Sequence, residues 1–296
     1  MGKAMLIVNP SSGKEKGKVY KDRAYQALLR RFDEVEVKET QKGGDATEFA
    51  RVAADNNYEA VIAMGGDGTL NEVINGIAEK PHRPAFGFIP LGTVNDLARS
   101  LGVPLRPDRA IKALETARKR SMDIGKIGDT YFMNVLAAGM IAEAVDKVSV
   151  EQKTKFGSVA YFAEGLKAFA RHELLEFEVK YDDGEWDGKA GLVIASLTNS
   201  VGGMEQWAPE AEVDDGLIHV FILTKLGLID AAKILPQIAL GTLKKADGVM
   251  YFSTTKLEIA CTDPDVKVNV DGDSGDTFPI AIEVLREHLD VLVPTK

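Results

Sequence analysis

A chain of 296 residues, 45% hydrophobic and 27% charged, is long enough for two ordinary domains, each with its own core. Its single cysteine, Cys261, excludes an intramolecular disulfide and a cysteine metal cluster, and with a formal charge of −9 nothing in it resembles the dense basic stripe of a nucleic-acid binder. No stretch approaches the roughly 20 unbroken apolar residues of a spanning helix, and the opening MGKAMLIVNP reads as a strand rather than a signal peptide, so a cytoplasmic location is expected.

The charge is unevenly divided. Residues 1–125 hold 20 Lys and Arg against 17 Asp and Glu, whereas the remainder holds 16 against 28. The basic first part is the natural home for a polyanionic ligand. There, apolar strands at 4–8, 35–38, 61–64 and 85–89 alternate with helical patterns at 25–31, 45–54, 70–77 and 95–101, and a last helix is expected at 107–118. Alternation of this kind predicts a doubly wound parallel sheet covered by helices. Asp45 followed by Glu48 reads as a capping box that starts the second helix.

Near residue 125 the pattern changes. Strand-like segments now follow one another at 122–127, 131–137, 175–181, 190–199, 217–223, 256–260, 266–270, 279–285 and 289–293, with Asp183-Gly184 and Asp187-Gly188 as turn signals. This predicts a β-sandwich interrupted by helical insertions at 158–171 and 228–240. The expected division is an α/β nucleotide-binding domain at 1–125 and a β-sandwich domain at 126–296.

The loop Gly65-Gly66-Asp67-Gly68-Thr69 stands between the apolar run 60–64 and a helix that opens on Leu70, Asn71 and Glu72. Glycines there expose backbone N–H groups beside a helix N-terminus, a setting suited to phosphate. An aspartate inside such a loop would repel phosphate by itself, so Asp67 points to a divalent cation between the two. Three more loops fall on the same edge of a parallel sheet, where open α/β folds bind their ligands. Asn9-Pro10-Ser11-Ser12-Gly13-Lys14 lacks the Walker spacing and alone reads first as a surface turn. Pro90-Leu91-Gly92-Thr93-Val94-Asn95-Asp96 combines glycine with a carboxylate, though Asn95 or Asp96 also suits a plain N-cap. Asp123-Ile124-Gly125 lies at the join. Asp67, Asp96 and Asp123 in one place would need a cation, with water between, to offset their repulsion.

In the acidic half, Ala208-Pro209-Glu210-Ala211-Glu212-Val213-Asp214-Asp215-Gly216-Leu217 is either a common Asp-Asp-Gly turn or an oxygen-rich cation loop. Asp271 and Asp273 close a strand, and one or both are candidates to accept a proton from a substrate hydroxyl. His82, His172, His219 and His288 lack ligand spacing and read as structural or surface residues, and Trp186 and Trp207 read as packing residues.

Six motifs in this order, Asn-Pro-x-Ser-Gly at 9–13, Gly-Gly-Asp-Gly-Thr at 65–69, Pro-Leu-Gly-Thr-x-Asn-Asp at 90–96, Asp-Ile-Gly at 123–125, Ala-Pro-x-Ala-x-x-Asp-Asp-Gly at 208–216 and Asp-Gly at 271–272, resemble the bacterial diacylglycerol kinase family of soluble lipid kinases, kin to sphingosine and ceramide kinases. The resemblance implies ATP bound by Asn9 to Gly13, by Thr40, by Gly66 to Glu72 and by Thr93. It implies a network of Asp67, Asp96 and Asp123 organising Mg2+ through water, and a second, structural Mg2+ held by the Asp215 carboxylate and the backbone carbonyls of Glu212 and Leu217. The family's proton acceptor is usually a glutamate at the position of Asp273; the shorter side chain leaves Asp271 as a second candidate.

The expected activity is transfer of the γ-phosphoryl group of ATP to the hydroxyl of diacylglycerol or a related neutral lipid held between the domains. Rival readings are an NAD kinase, which shares the Gly-Gly-Asp-Gly loop, and a non-catalytic lipid-binding relative. With a bilayer substrate and no spanning segment, membrane contact is expected to be peripheral, at the inner face. Lys153, Lys155 and Phe156 with Lys167 and Phe169 are candidates for it, against the alternative of a solvated helix face. The sandwich is a candidate surface for a homodimer.

Overall fold

The computed structural model describes residues 2–139, 174–225 and 227–295, so the expected helix at 158–171, the Lys153 to Phe169 contact surface and His172 lie outside the described residues. The chain divides into two compact units, one of residues 1–124 and 286–296 and the other of residues 125–285.

The first unit contains β1 (Lys3–Val8), α1 (Ser12–Leu28), β2 (Glu34–Glu39), α2 (Asp45–Asp55), β3 (Ala60–Gly65), α3 (Asp67–Ile77), β4 (Ala85–Pro90), α4 (Asp96–Ser100) and α5 (Pro107–Leu114). The strands are parallel in the order β2-β1-β3-β4, as the doubly wound reading expects. Met5 to Val8 and Val61 to Met64 have no exposed surface, which is why β1 and β3 are continuous apolar runs: helices cover both faces. β2 lies at the edge and alternates charges instead; Lys3 reaches Glu34 at 2.9 Å and Glu36 at 3.1 Å across it. A charged edge resists pairing with another chain.

Two local expectations change here. The first helix begins well before residue 25, because its early turns are polar and bury only Gly17 and Ala24, which left no apolar period to read. Asp45 is not an N-cap with Glu48 as its partner. It is the first residue of α2, preceded by Gly44 at φ +87°, and its carboxylate reaches back to accept the N–H groups of Gln41 (2.7 Å) and Lys42 (3.0 Å). Those two bonds hold the Asp45 carboxyl below its usual range.

β5 (Arg118–Ile127) leads into the second unit, which contains β6 (Thr130–Phe132), β7 (Val135–Gly139), β8 (Leu175–Tyr181), β9 (Gly184–Ala190), β10 (Leu192–Ser196), β11 (Ile218–Leu223), α6 (Leu228–Ala239), β12 (Val249–Thr254), β13 (Lys256–Cys261), β14 (Lys267–Val270) and β15 (Asp273–Thr277), and ends in the first part of β16 (Ile280–Val293). One antiparallel sheet runs β12-β11-β10-β7-β14-β15, and β13 is flanked by β16 and β8, with β9 beyond. Their inner faces share a core that includes Phe132, Leu136, Val193, Val220, Leu257 and Ile259. A second cluster, with Trp207, Phe221, Ile234 and Ile238, lies under α6. β11 is therefore buried on both faces and reads as unbroken Ile-His-Val-Phe-Ile-Leu.

The sandwich is as expected, but several of its details are not: β12, β15 and most of β9 lie outside the expected strands. Asp187-Gly188 is no turn; it lies inside β9, paired with Phe177 and Glu178. The expected strand 131–137 is broken between β6 and β7. The segments 279–285 and 289–293 form one 14-residue strand, β16. Its first half pairs antiparallel with β13, and Val291 near its end pairs parallel with Phe86 of β4. Glu287, at φ +45°, marks the change between the two. The last residues thus complete the first unit, whereas the sequence division had given them to the sandwich. Apolar alternation shows that a strand has a buried face but not which sheet it joins.

Candidate functional site

Parallel strands deliver the loops after β1, β2, β3 and β4 to one edge of the sheet. Asn9 N–H donates to Met64 O at 2.9 Å, Thr40 N–H to Val8 O at 2.9 Å and Leu91 N–H to Gly65 O at 2.7 Å, so each loop leaves its strand locked to a neighbour. Asn9 then bridges loops: its Nδ2 donates to Thr69 Oγ1 at 3.1 Å, while its Oδ1 accepts the Ser11 hydroxyl at 2.8 Å. The loops meet backbone to backbone. A Cβ added to Gly92 would lie 3.0 Å from Gly66 Cα and 2.7 Å from Asn95 Oδ1, and one added to Gly13, at φ +61°, would lie 2.6 Å from Leu91 O. Glycine is required where loops approach this closely. The structure thereby gathers the 9–13, 65–69 and 90–96 motifs at one place.

Ser11, Gly68 and Thr93 are exposed there, and Pro10, Ser12, Gly13, Thr40 and Gly66 are half-buried. Small neutral side chains and bare glycines at the head of α3 fit a triphosphate. Not every residue expected to contact ATP lies open. Leu70 is 2% exposed and packs in the core, with its N–H given to Gly66 O at 3.1 Å. Asn71 Oδ1 accepts from Asn75 at 2.9 Å. The Glu72 carboxylate accepts the Ala46 N–H at 3.1 Å and its carbonyl accepts the Thr47 hydroxyl at 3.0 Å, so Glu72 serves an N-terminal amide of α2 that the helix itself cannot satisfy.

Asp67 is the first residue of α3, where a carboxylate is favoured by the helix dipole, and its Oδ2 accepts the Asn95 N–H at 2.9 Å. Asp96 opens α4 and is 7% exposed. Asp123, on β5, is 2% exposed and its Oδ1 accepts the Glu287 N–H at 2.6 Å. The bend in β16 therefore grips Asp123. Among the described residues no group of three or more His, Cys, Asp and Glu side chains is arranged to hold a metal directly. The donor chemistry of Asp67, Asp96 and Asp123 fits Mg2+, which keeps several of its waters.

In the second unit, the Asp215 carboxylate accepts Glu212 N–H at 3.0 Å, Leu217 N–H at 2.8 Å and His219 Nε2 at 2.9 Å. Burial pushes this carboxyl up, but the hydrogen bond from His219 and the amides of Glu212 and Leu217 together outweigh it and hold it below the usual carboxylate range. The Glu212 carbonyl in turn accepts the Asp215 N–H at 3.4 Å, so the turn is closed by bonds in both directions. His219, expected from the sequence to be structural or at the surface, is a buried partner of Asp215. Its one signal was position: a polar ring inside the apolar run of β11, four residues after Asp215.

Asp271, at φ +50°, accepts Met133 N–H at 2.8 Å, Asn134 N–H at 3.1 Å and Val135 N–H at 2.9 Å. That grip is what splits the expected strand 131–137 in two. Asp273 opens β15 opposite Val270, and its side chain is exposed. Trp207 is fully buried, 5.8 Å from Phe221 between ring centroids, and Trp186 packs on the sandwich core. His82 lies 2.7 Å from Tyr58 O, and His288 accepts Glu79 N–H at 2.9 Å.

Residues 3–127 match the diacylglycerol kinase catalytic domain, and residues 134–293 match the YegS C-terminal NAD kinase beta sandwich-like domain. The chain is 36% identical over 292 residues to the diacylglycerol kinase of Staphylococcus saprophyticus, covering 99% of this chain and 95% of that protein. The diacylglycerol kinase of Staphylococcus aureus strain bovine RF122 is also 36% identical, over 99% of this chain and 92% of its own. A crystal structure of a diacylglycerol kinase from Bacillus anthracis superposes with a TM-score of 0.83 at 26% identity, covering 98% of this chain and 96% of that one. The fold and the gathered loops are those of a lipid kinase, a phosphotransferase acting on an alcohol. The chain belongs to the diacylglycerol kinase family.

Proposed function

We propose that the protein transfers the γ-phosphoryl group of ATP to the hydroxyl of diacylglycerol or a related neutral lipid, giving phosphatidic acid or its analogue. The observation that carries this reading is the meeting of the 9–13, 65–69 and 90–96 loops at one sheet edge, where Gly66 and Gly92 touch and Asp67 stands at the head of α3. In this reading the backbone N–H groups at 66–69, with Asn9, Ser11, Thr40 and Thr93, bind and orient the nucleotide. Asp67, Asp96 and Asp123 would hold Mg2+, which when bound would supply positive charge beside the transferring phosphoryl group. Asp273 accepts the proton of the lipid hydroxyl as its oxygen attacks phosphorus and ADP departs. Asp271 is committed to the chain at 133–135 and supports the turn from which Asp273 projects. Asp215, with the carbonyls of Glu212 and Leu217, would hold a structural Mg2+.

No helix among the described residues is long and apolar enough to cross a membrane, so the reading places contact with the bilayer substrate at the membrane surface. The test offers γ-labelled ATP with diacylglycerol in mixed micelles and with NAD side by side. Label in the organic phase supports the reading; label in NADP, or in no product with any neutral lipid, overturns it.

A further inference from the structure

His219 lies 3% exposed between two polar partners: Nε2 is 2.9 Å from Asp215 Oδ2, and Nδ1 is 2.8 Å from the Tyr251 hydroxyl. A nitrogen facing a carboxylate carries a proton, so Nε2 donates to Asp215, while Nδ1 meets the Tyr251 hydroxyl. The result is a hydrogen-bonded chain that links Tyr251, His219 and Asp215. It is braced from outside. Tyr251 pairs with Phe221 across β12 and β11, their ring centroids 4.9 Å apart, and its ring stacks 6.1 Å from that of His219. Of the donors described at Asp215, Oδ2 takes two, from Glu212 N and His219, and Oδ1 takes one, from Leu217 N. Turning the carboxylate would break these bonds in a site where Asp215 is only 19% exposed. A small cation that demands near-octahedral geometry benefits when its carboxylate is held in one orientation.

We propose that His219, braced by Tyr251, is a positioning residue that fixes the Asp215 carboxylate for a divalent cation. The proposal rests on the reading of Asp215 as a magnesium ligand. The test is Mn2+ binding to the nucleotide-free, full-length protein, followed by the electron paramagnetic resonance signal of free Mn2+. Asp215→Asn is the control: loss of a bound Mn2+ ties the cation to this turn, whereas binding equal to wild type overturns the magnesium reading and the proposal with it. With that control met, His219→Leu and Tyr251→Phe are expected to weaken Mn2+ binding at the turn by about 10- to 100-fold, the scale for partners that orient a metal ligand. His219→Gln, which keeps a donor within reach of Asp215, should recover most of the affinity. A merely structural histidine would lower thermal stability in all three without moving Mn2+ affinity, and that outcome overturns the proposal while the magnesium reading stands. Weakening by His219→Leu alone supports the histidine and removes Tyr251 from the mechanism. If His219→Leu fails to fold, Tyr251→Phe decides: it keeps the ring packing, and unchanged affinity there overturns the proposal.

Discussion

Asn95 donates its backbone N–H to the Asp67 carboxylate at 2.9 Å, so the start of α4 is fastened to the start of α3 by the side chain proposed to organise magnesium. The same aspartate thus carries a structural bond and a charge. Asp67→Asn keeps an acceptor for Asn95 and removes the charge; Asp67→Ala removes both. Both variants are expected to lose about 100-fold or more in kcat, the scale of a positioned electrostatic group, and Asp67→Asn should melt closer to wild type. Lipid phosphorylation rates read beside thermal unfolding check this, and near-normal turnover in Asp67→Asn would refute the catalytic role.

Gly92 offers a steric test of the gathered loops. A methyl there meets Gly66 Cα at 3.0 Å and Asn95 Oδ1 at 2.7 Å, so Gly92→Ala should displace the phosphate loop. We expect kcat/KM for ATP to fall by about 10- to 100-fold, in keeping with the cost of ångström-scale misplacement. The apparent KM for lipid should change far less. Equal effects on both substrates would argue that the nucleotide binds elsewhere.

Asp271 and Asp273 should separate by experiment. Removing the Asp271 carboxylate leaves the amides of Met133, Asn134 and Val135 without their acceptor, and a loss of about 2 kcal/mol or more in stability is expected for Asp271→Ala. Asp273→Asn should leave the melting temperature near wild type and reduce kcat by about 100-fold or more, as for loss of a general base. Denaturant titration and initial rates on both variants distinguish the roles, and a stable but inactive Asp271→Ala would reverse the assignment.

The charged edge of β2 predicts an acid limb. Lys38, then the Tyr58 hydroxyl and Lys3, lower Glu36 from 4.5 to about 2. A carboxyl depressed on folding stabilises the protein above its unfolded value, and that contribution is lost as pH falls toward the folded value. Glu36→Gln should therefore flatten the decline in stability between about pH 4.5 and 2. Its side chain is 31% exposed, so salt should weaken the effect. Urea unfolding across that window measures it, and an unchanged slope would show that the pairs contribute nothing to folding.

The parallel sheet, the sandwich and the loop motifs were legible because each is written in adjacent residues: a strand, a glycine turn and the first turn of a helix follow within a dozen positions. The hydrogen-bond partners of Glu72 and His219 were not legible, since the Ala46 amide and the Tyr251 hydroxyl that they meet lie 26 and 32 positions away. The Asp45 cap failed for a local reason: Gly44 in the left-handed region took the cap position and freed the carboxylate to bind backward.

By itself the sequence determined the alternation of strands and helices in the first unit, the two kinds of sheet and the family, because periodicity and turn chemistry act over short distances along the chain. Only the tertiary structure decided that β16 ends beside Phe86, that Asp271 serves the amides of residues 133–135 while Asp273 stays exposed, and that Glu287 reaches back 164 positions to hold Asp123. Hydrogen bonds of that span depend on where whole strands pack, and no local pattern of residue types encodes them.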